Sequence, residues 1–283
     1  MSARVVITGA SGFVGKSIVS KLRENKDLEL VSVSRKTQAG FSKVDDYSDS
    51  PNGDLLIHLG EENTLSKVDK NEVEMAMETI TSLTKRGRYK HIIYASSGVL
   101  YGDSSEVKHK TTDPIFVSNY YSEMKFNSER EVMHSDSGLI ARLSNVIGPG
   151  ISSGSVVKKI ISQISTGYDI RLNNLSAIRD FLWVEDTAEC FSKMVDSLLN
   201  QKAISSVLNV SSGVGTSIES LAKMFIESSE APNRQVIGEN FTPSKSTIIL
   251  ENSETLIQLG WEPKVTLTQA VAIMCEPLSK IDK

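Results

Sequence analysis

Arg4-Val5-Val6-Ile7-Thr8-Gly9-Ala10-Ser11-Gly12-Phe13-Val14-Gly15 opens with a short apolar run, turns at two glycines and runs into a helical pattern that lasts to about Glu24. Val14, Ile18, Val19 and Leu22 recur on one face of that pattern, as an amphipathic helix requires. Three glycines at a strand-to-helix junction have a physical use. The tight turn lets backbone N–H groups and the positive helix end approach a pyrophosphate, while the third glycine lets helix and strand pack closely. Gly9, Ser11, Gly12, Phe13, Val14 and Gly15 are therefore read as a dinucleotide-binding turn. A turn built only for packing does not explain three glycines at this spacing.

Working outward, short apolar runs alternate with helical patterns. Strands are expected at 4–8, 28–34, 54–59, 91–96 and 139–143, with helices at 12–24, 73–84 and 120–134. The runs Asp54–Leu59 and His91–Ser96 are almost continuously apolar, as strands covered on both faces must be. This alternation predicts an α/β protein built on a doubly wound parallel sheet of Rossmann type. After Gly148-Pro149-Gly150 the segments shorten, with helices near 155–165, 185–199 and 217–227 and small strands between. The expected organisation is a dinucleotide-binding domain over 1–150. Residues 151–283 form a smaller C-terminal α/β substrate lobe, interleaved with the first domain.

Composition narrows the function classes. The 283 residues are 39% apolar and 23% charged, with 31 Lys plus Arg against 35 Asp plus Glu, a net charge of −4. No basic stripe suits nucleic acid; the dense basic stretch from Lys85 to Lys90 reads as a solvated helix end. Cys190 and Cys275 lie far apart without metal spacing and are expected to be reduced core thiols, which points to the cytoplasm. No run reaches the 18 apolar residues that span a bilayer, and Val5-Val6-Ile7 reads as a strand rather than a leader. Neither a metal site nor a membrane partner is expected.

The end of the second strand distinguishes dinucleotides. A carboxylate there suits the adenosine ribose hydroxyls of NAD, whereas a cation suits a 2′-phosphate. The chain reads Val33-Ser34-Arg35-Lys36, with Ser34 where the acid would stand and Arg35 able to hold a phosphate bidentately. NADP(H) is therefore favoured, with NAD as the alternative. Tyr121-Ser122-Glu123-Met124-Lys125 places a phenol and an ammonium four residues apart on one helix face. A free phenol has a pKa near 10, and a neighbouring Lys⁺ would lower it toward the range useful for proton exchange. Tyr94-Ala95-Ser96-Ser97-Gly98-Val99-Leu100-Tyr101-Gly102 ends a strand in two hydroxyls before that helix.

Together with Arg142–Pro149, Arg179–Asp186, Leu208-Asn209-Val210 and Leu259–Pro263, these blocks resemble the extended short-chain dehydrogenase/reductase superfamily over essentially the full chain. The likeness is to its branch of nucleotide-sugar epimerases, dehydratases and 4-ketoreductases. The resemblance implies Ser97, Tyr121 and Lys125 as the catalytic set. Ser97 would hold the reacting oxygen, Tyr121 would act as acid/base, and Lys125 would bind the nicotinamide ribose. It adds Leu59 and Gly60 to the cofactor contacts, and Asn145 and Arg179 to a substrate diphosphate. His58 is read as a strand residue beside the cofactor rather than a base. A homodimer, through two helices of each subunit, is also implied.

Departures from the family pattern narrow the reaction. Gly98 and Val99 stand where dehydratases carry an acidic pair, so water loss is disfavoured. Neither cysteine matches the Cys/His pair of the branch that epimerises beside the ketone. Met124 replaces a serine before the lysine, and the arginine usual near Thr242-Pro243-Ser244 is absent. The expected function is NADP(H)-dependent reduction of a keto group, at C4, of a nucleotide-diphosphate sugar. The alternatives are an NAD-dependent 4-epimerase using the same residues and a non-catalytic NADP-binding regulator.

Overall fold

The computed structural model describes residues 2–103, 107–135, 137–229, 234–239 and 246–276; Thr242-Pro243-Ser244 lies outside them. In the first half, β1 (Ala3–Thr8), α1 (Phe13–Leu22), β2 (Leu28–Ser34), β3 (Ser42–Lys43), β4 (Leu55–His58), α2 (Lys70–Leu83), β5 (His91–Ser97), α3 (Tyr120–Met133), β6 (Gly138–Leu143) and β7 (Asn145–Ile147) follow in order. The second half holds α4 (Val156–Ile164), β8 (Ile170–Leu172), β9 (Ile178–Trp183), α5 (Val184–Leu199), β10 (Val207–Val210), β11 (Gly215–Ser217), α6 (Ile218–Ser228), β12 (Val236–Gly238), β13 (Thr247–Ile248), α7 (Ser253–Leu259) and α8 (Leu267–Cys275).

Seven strands form one parallel sheet in the order β3-β2-β1-β4-β5-β6-β10. Successive strand side chains point to opposite faces, and both faces are covered. Val5, Ile7, Leu55, Ile57 and Ile93 cluster with Ile18 and Leu22 of α1 and with Phe191 and Val195 of α5. The residues between them, Val6, Leu56, Ile92 and Tyr94, cluster with Ile80 and Leu83 of α2 and with Val132 of α3. This two-sided burial is why the strands read as continuous apolar runs instead of alternating ones.

Chain order and lobe membership do not coincide. The chain leaves the main sheet after β6, and β7 pairs with β9 in a smaller sheet that also holds β11 and β13. A second core, with Ile160 of α4, Phe181 of β9, Phe225 of α6 and Val271 of α8, fills this part. The strand β10 then returns to the edge of the main sheet beside β6, and α5 packs beside α1 on its face. Trp261 joins the main-sheet core between α1 and α5 and donates its indole N–H to the Asp186 carbonyl at 3.0 Å.

Where β5 and β6 end, a buried polar cluster joins the two parts. Arg142 of β6 donates two hydrogen bonds to Glu129 of α3, at 2.9 and 2.7 Å, and a third to Tyr101 Oη at 2.9 Å. Tyr101 in turn donates to Asn209 of β10 at 2.7 Å. The paired Glu129 carboxylate holds the Arg142 guanidinium above its ordinary pKa, although burial alone would lower it.

The basic stretch at Lys85–Lys90 is more than a solvated helix end. Arg88 donates to the carbonyls of Ser48, Ser50 and Ser82 and so clamps the loop before β4. Lys85 and Arg86 remain exposed. Cys190 and Cys275 are both buried and free, and burial pushes each thiol up in pKa. Among the described residues no helix is long and apolar enough to cross a membrane, and no cluster of metal-ligating side chains occurs.

Candidate active site

A cleft of about 1010 Å³ opens between the ends of the parallel strands and the smaller lobe. Gly9, Gly12, Phe13, Val14, Gly15 and Leu59 line one side of it, and Ser97, Tyr121 and Lys125 lie along it; Asn145 and Arg179 come from the β7–β9 side. Eleven of the residues singled out by sequence reading therefore share one concavity. Ser11, Ser34, Arg35 and Gly60 are not in its lining.

The glycine turn is tight for a visible reason. Gly9 has φ +66°, and a Cβ there would lie 2.5 Å from the Leu59 carbonyl oxygen. A Cβ on Gly15 would lie 2.3 Å from the Gly9 carbonyl oxygen. Any side chain at either position would force the turn open. Helix α1 begins at Gly12 with no side-chain cap, which leaves first-turn N–H groups to face the cleft. The turn thus fits a dinucleotide pyrophosphate.

The four residues outside the lining support this wall. Ser34 is fully buried, and its hydroxyl bonds the Ser11 hydroxyl at 2.7 Å and accepts from the Lys36 N–H at 3.0 Å. Its side chain ties the turn to β2 and is not a free group for a ribose. Arg35 is exposed, with its guanidinium 5.1 Å from the centre of the Tyr47 ring. Gly60 makes room for that ring, since a Cβ there would lie 2.5 Å from its carbons.

The three residues read from the sequence as a catalytic set are placed by β5 and α3. Ser97 closes β5 and accepts from the Val99 N–H at 3.2 Å, capping the short 3₁₀ turn that follows. An Asn119/Ser122 capping box starts α3, so Tyr121 falls in its first turn and Lys125 one turn on. Lys125 Nζ donates to the Ala95 carbonyl at 3.1 Å and lies 3.0 Å from Glu61 Oε2. The ammonium is thereby fixed to the strand that carries Ser97. The Ser96 and Ser144 hydroxyls, also in the lining, are buried without a protein partner among the described residues.

Sequence reading missed Glu61. It follows β4 by three residues, lines the cleft, and accepts from Tyr94 Oη and from Ser128 Oγ at 2.6 Å. Burial pushes its carboxyl up in pKa, but the adjacent Lys125 ammonium outweighs that and holds it below the usual range. Burial lowers the Lys125 ammonium, and the charge on Glu61 outweighs that in turn, leaving it raised. The only signal in the chain was an acid just past Leu59 and Gly60, with nothing to say that it turns inward.

His58 lies beneath the cleft floor and not in its lining, bonded to the Thr8 hydroxyl at 2.7 Å. Burial pushes its imidazole down to about 4, so it is neutral at neutral pH and is a packing residue. Unfolding exposes an ordinary imidazole with a pKa of 6.5, so the unfolded state binds the extra proton between 6.5 and about 4. Stability should fall with acidification across that window, by about 3 kcal/mol from this group. Urea unfolding at stepped pH should show a shallower acid loss in His58→Gln; an unchanged slope would contradict the assignment.

Arg179 and Asp180 are neighbours that face apart. Arg179 donates to the carbonyls of Ile178 and Ser246 and to the Ser246 hydroxyl, at 2.7–2.8 Å. Asp180 accepts from the N–H groups of Ser212 and Gly213 at 2.9 and 3.0 Å. Asn145, exposed in the lining, donates to the Asp180 carbonyl at 3.3 Å.

A parallel sheet whose first turn admits a pyrophosphate, with a phenol and an ammonium fixed at the end of its central strands, is the framework of an NAD(P)-dependent enzyme. Comparison with known proteins makes this specific. The model of the NAD dependent epimerase/dehydratase family matches residues 5–210, and the chain belongs to that family. GDP-6-deoxy-D-talose 4-dehydrogenase of Aggregatibacter actinomycetemcomitans is 23% identical over 242 residues, 79% of each chain. The structure of RMD from Pseudomonas aeruginosa complexed with NADPH superposes with a TM-score of 0.82 at 20% identity, covering 99% of this chain and all of that one. A UDP-glucuronic acid 4-epimerase variant from Bacillus cereus, in complex with UDP-4-deoxy-4-fluoro-glucuronic acid and NAD, gives 0.84 at 14% identity, covering 98% and 99%. At these identities the solved structures show the shared fold.

Proposed function

We propose that the protein is an NADP(H)-dependent reductase that converts a keto group, at C4, of a nucleotide-diphosphate sugar to the alcohol. The observation that carries this reading is the gathering of Ser97, Tyr121 and Lys125 in the cleft that begins at the Gly9–Gly15 turn. Reduction needs one proton donor and one oxygen-orienting group, and both are in that set. No acid/base pair for water loss stands beside Ser97, where the chain has Gly98 and Val99.

The turn and the N-terminus of α1 would hold the pyrophosphate, and Lys125 the nicotinamide ribose. A nicotinamide held there would supply the hydride that the carbonyl carbon takes up. Ser97 orients the carbonyl oxygen, and Tyr121, nine-tenths buried, gives that oxygen its proton. Burial keeps bulk water from competing for it. Asn145 and Arg179 are assigned to the substrate diphosphate, for which a planar guanidinium is a two-pronged clamp. Arg35, exposed beside Tyr47 with no acid at position 34, supports a 2′-phosphate and hence NADP(H).

A 4-epimerase would use the same residues with a retained NAD, and the fold shared with the 4-epimerase above keeps it as the second reading. The homodimer belongs to the proposal as well, through α2 and α3, where Met75 and Met133 are exposed; sedimentation velocity distinguishes it from a monomer. The decisive experiment supplies 4-keto sugars on UDP, dTDP, GDP and CDP together with NADPH and, in parallel, the corresponding 4-hydroxy sugars without added cofactor. Stoichiometric NADPH consumption with one of them supports the reductase. Interconversion of two 4-epimers with tightly held NAD and no net consumption assigns the epimerase. NADPH should bind at least about tenfold tighter than NADH, and Arg35→Ala should remove that preference, the loss expected for a charge-assisted contact. An equal affinity in the parent protein would overturn the NADP(H) assignment.

A further inference from the structure

Glu61 is a carboxylate placed where an apolar residue would cost less. Its side chain is 4% exposed, and it is enclosed by Tyr94 of β5, Lys125 and Ser128 of α3, and His58 of β4, whose Nε2 stands 4.0 Å from its Oε1. A buried ion pair is weak support for a fold, because hydrophobic residues of similar volume are often as stable. A role in the chemistry of the cleft that Glu61 lines explains the charge better.

The geometry leads from Glu61 to Lys125 and then to Tyr121. An ammonium has three donors; two of those of Lys125 are directed to Glu61 and Ala95, and Nζ also lies 5.1 Å from the centre of the Tyr94 ring. The charge that reaches Tyr121, one helical turn away, is therefore that of a close ion pair rather than of a bare cation. Opposite charges 3.0 Å apart largely cancel at longer range. The other groups facing the pair do not restore the positive field. Glu129 is negative and held by Arg142, His58 is neutral, Tyr94 is a phenol, and Arg35 and Asp46 act on His58 with opposite signs.

We propose that Glu61 is a positioning residue for proton transfer: it clamps Lys125 against β5 and opposes its charge at Tyr121, so that Tyr121 is biased toward giving a proton to a ketone over taking one from an alcohol. This rests on the reading of Tyr121 as the acid/base group and adds a bias toward reduction. Glu61→Gln keeps the volume and retains a carbonyl for Tyr94 and Lys125, but removes the charge.

The test needs no sugar substrate. Tyr121 ionisation is read as the near-ultraviolet phenolate difference between each protein and its Tyr121→Phe counterpart, titrated with NADP⁺ present. Glu61→Gln should move the midpoint to lower pH by about one unit or more, the effect of an uncompensated cation a few ångströms away. Glu61→Asp, which keeps the charge, should stay near the parent, a rescue that packing alone would not produce. In a Lys125→Met background the buried Glu61 carboxyl loses the ammonium that keeps it ionised and takes up a proton, so the Glu61→Gln displacement should be clearly smaller. A midpoint that stays or rises in Glu61→Gln, or an undiminished displacement without Lys125, overturns the proposal. If Tyr121→Phe leaves turnover intact, the functional reading fails, while the titration still reports whether Glu61 and Lys125 are coupled to the phenol.

Discussion

Tyr121→Phe should lower the turnover of the accepted keto sugar by roughly 10²–10⁴-fold, the share that a positioned acid contributes, while NADPH affinity changes little. The substitution removes one oxygen from a ring that is otherwise held by packing. Tyr121 clusters with Val73 and Ala76 of α2 and with Met124, so the phenylalanine ring keeps its place and the cleft its shape. Stopped-flow single turnovers would separate the chemical step from product release. Tyr120, the adjacent phenol, is about half exposed and lies outside the cleft lining. Tyr120→Phe should therefore leave the rate near that of the parent. Unchanged turnover in Tyr121→Phe would remove Tyr121 from the chemistry and, with it, the reductase.

The largest stability effect is expected at Arg142. Arg142→Met leaves the Glu129 carboxylate, with 6% of its side chain exposed, without its partner, and losing one member of a buried pair typically costs about 3–5 kcal/mol. In a chain of this length that is a fall in melting temperature on the order of 5–10 °C. Tyr101 also loses a donor and Thr111 a contact to its carbonyl, so the segment between β5 and α3 should loosen first. The double variant Arg142→Met with Glu129→Leu should recover much of the loss, because removing both charges leaves none stranded. A single variant within about 1 kcal/mol of the parent would mean that the cluster is solvated and contributes little.

The glycine turn, the parallel alternation and the Tyr121–Lys125 spacing were legible because each depends on neighbours in the chain. Gly9 and Gly15 announce a close approach through their own lack of a Cβ, and apolar periodicity reports how many faces of an element are covered. Tyr121 and Lys125 are four positions apart, a spacing that any helix converts into one shared face. The chain order of the lobes was less legible. The edge strand β10 lies beside β6 in the sheet although α4, β8, β9 and α5 come between them in the chain. Short strands carry no local mark of which sheet they will join.

What the amino-acid order determined alone was the class of fold, the glycine turn, and the hydroxyl, phenol and ammonium that are proposed for the chemistry. All of these follow from local backbone geometry and from side-chain type. Folding decided that Ser34 is occupied by Ser11, that Arg179 and Asp180 face apart, and that Glu61 meets Lys125. Those are contacts between segments distant in sequence, down to Tyr101 and Asn209, 108 positions apart. A charge has no direction in a sequence: whether it meets water or another charge is settled only when the sheet closes over it.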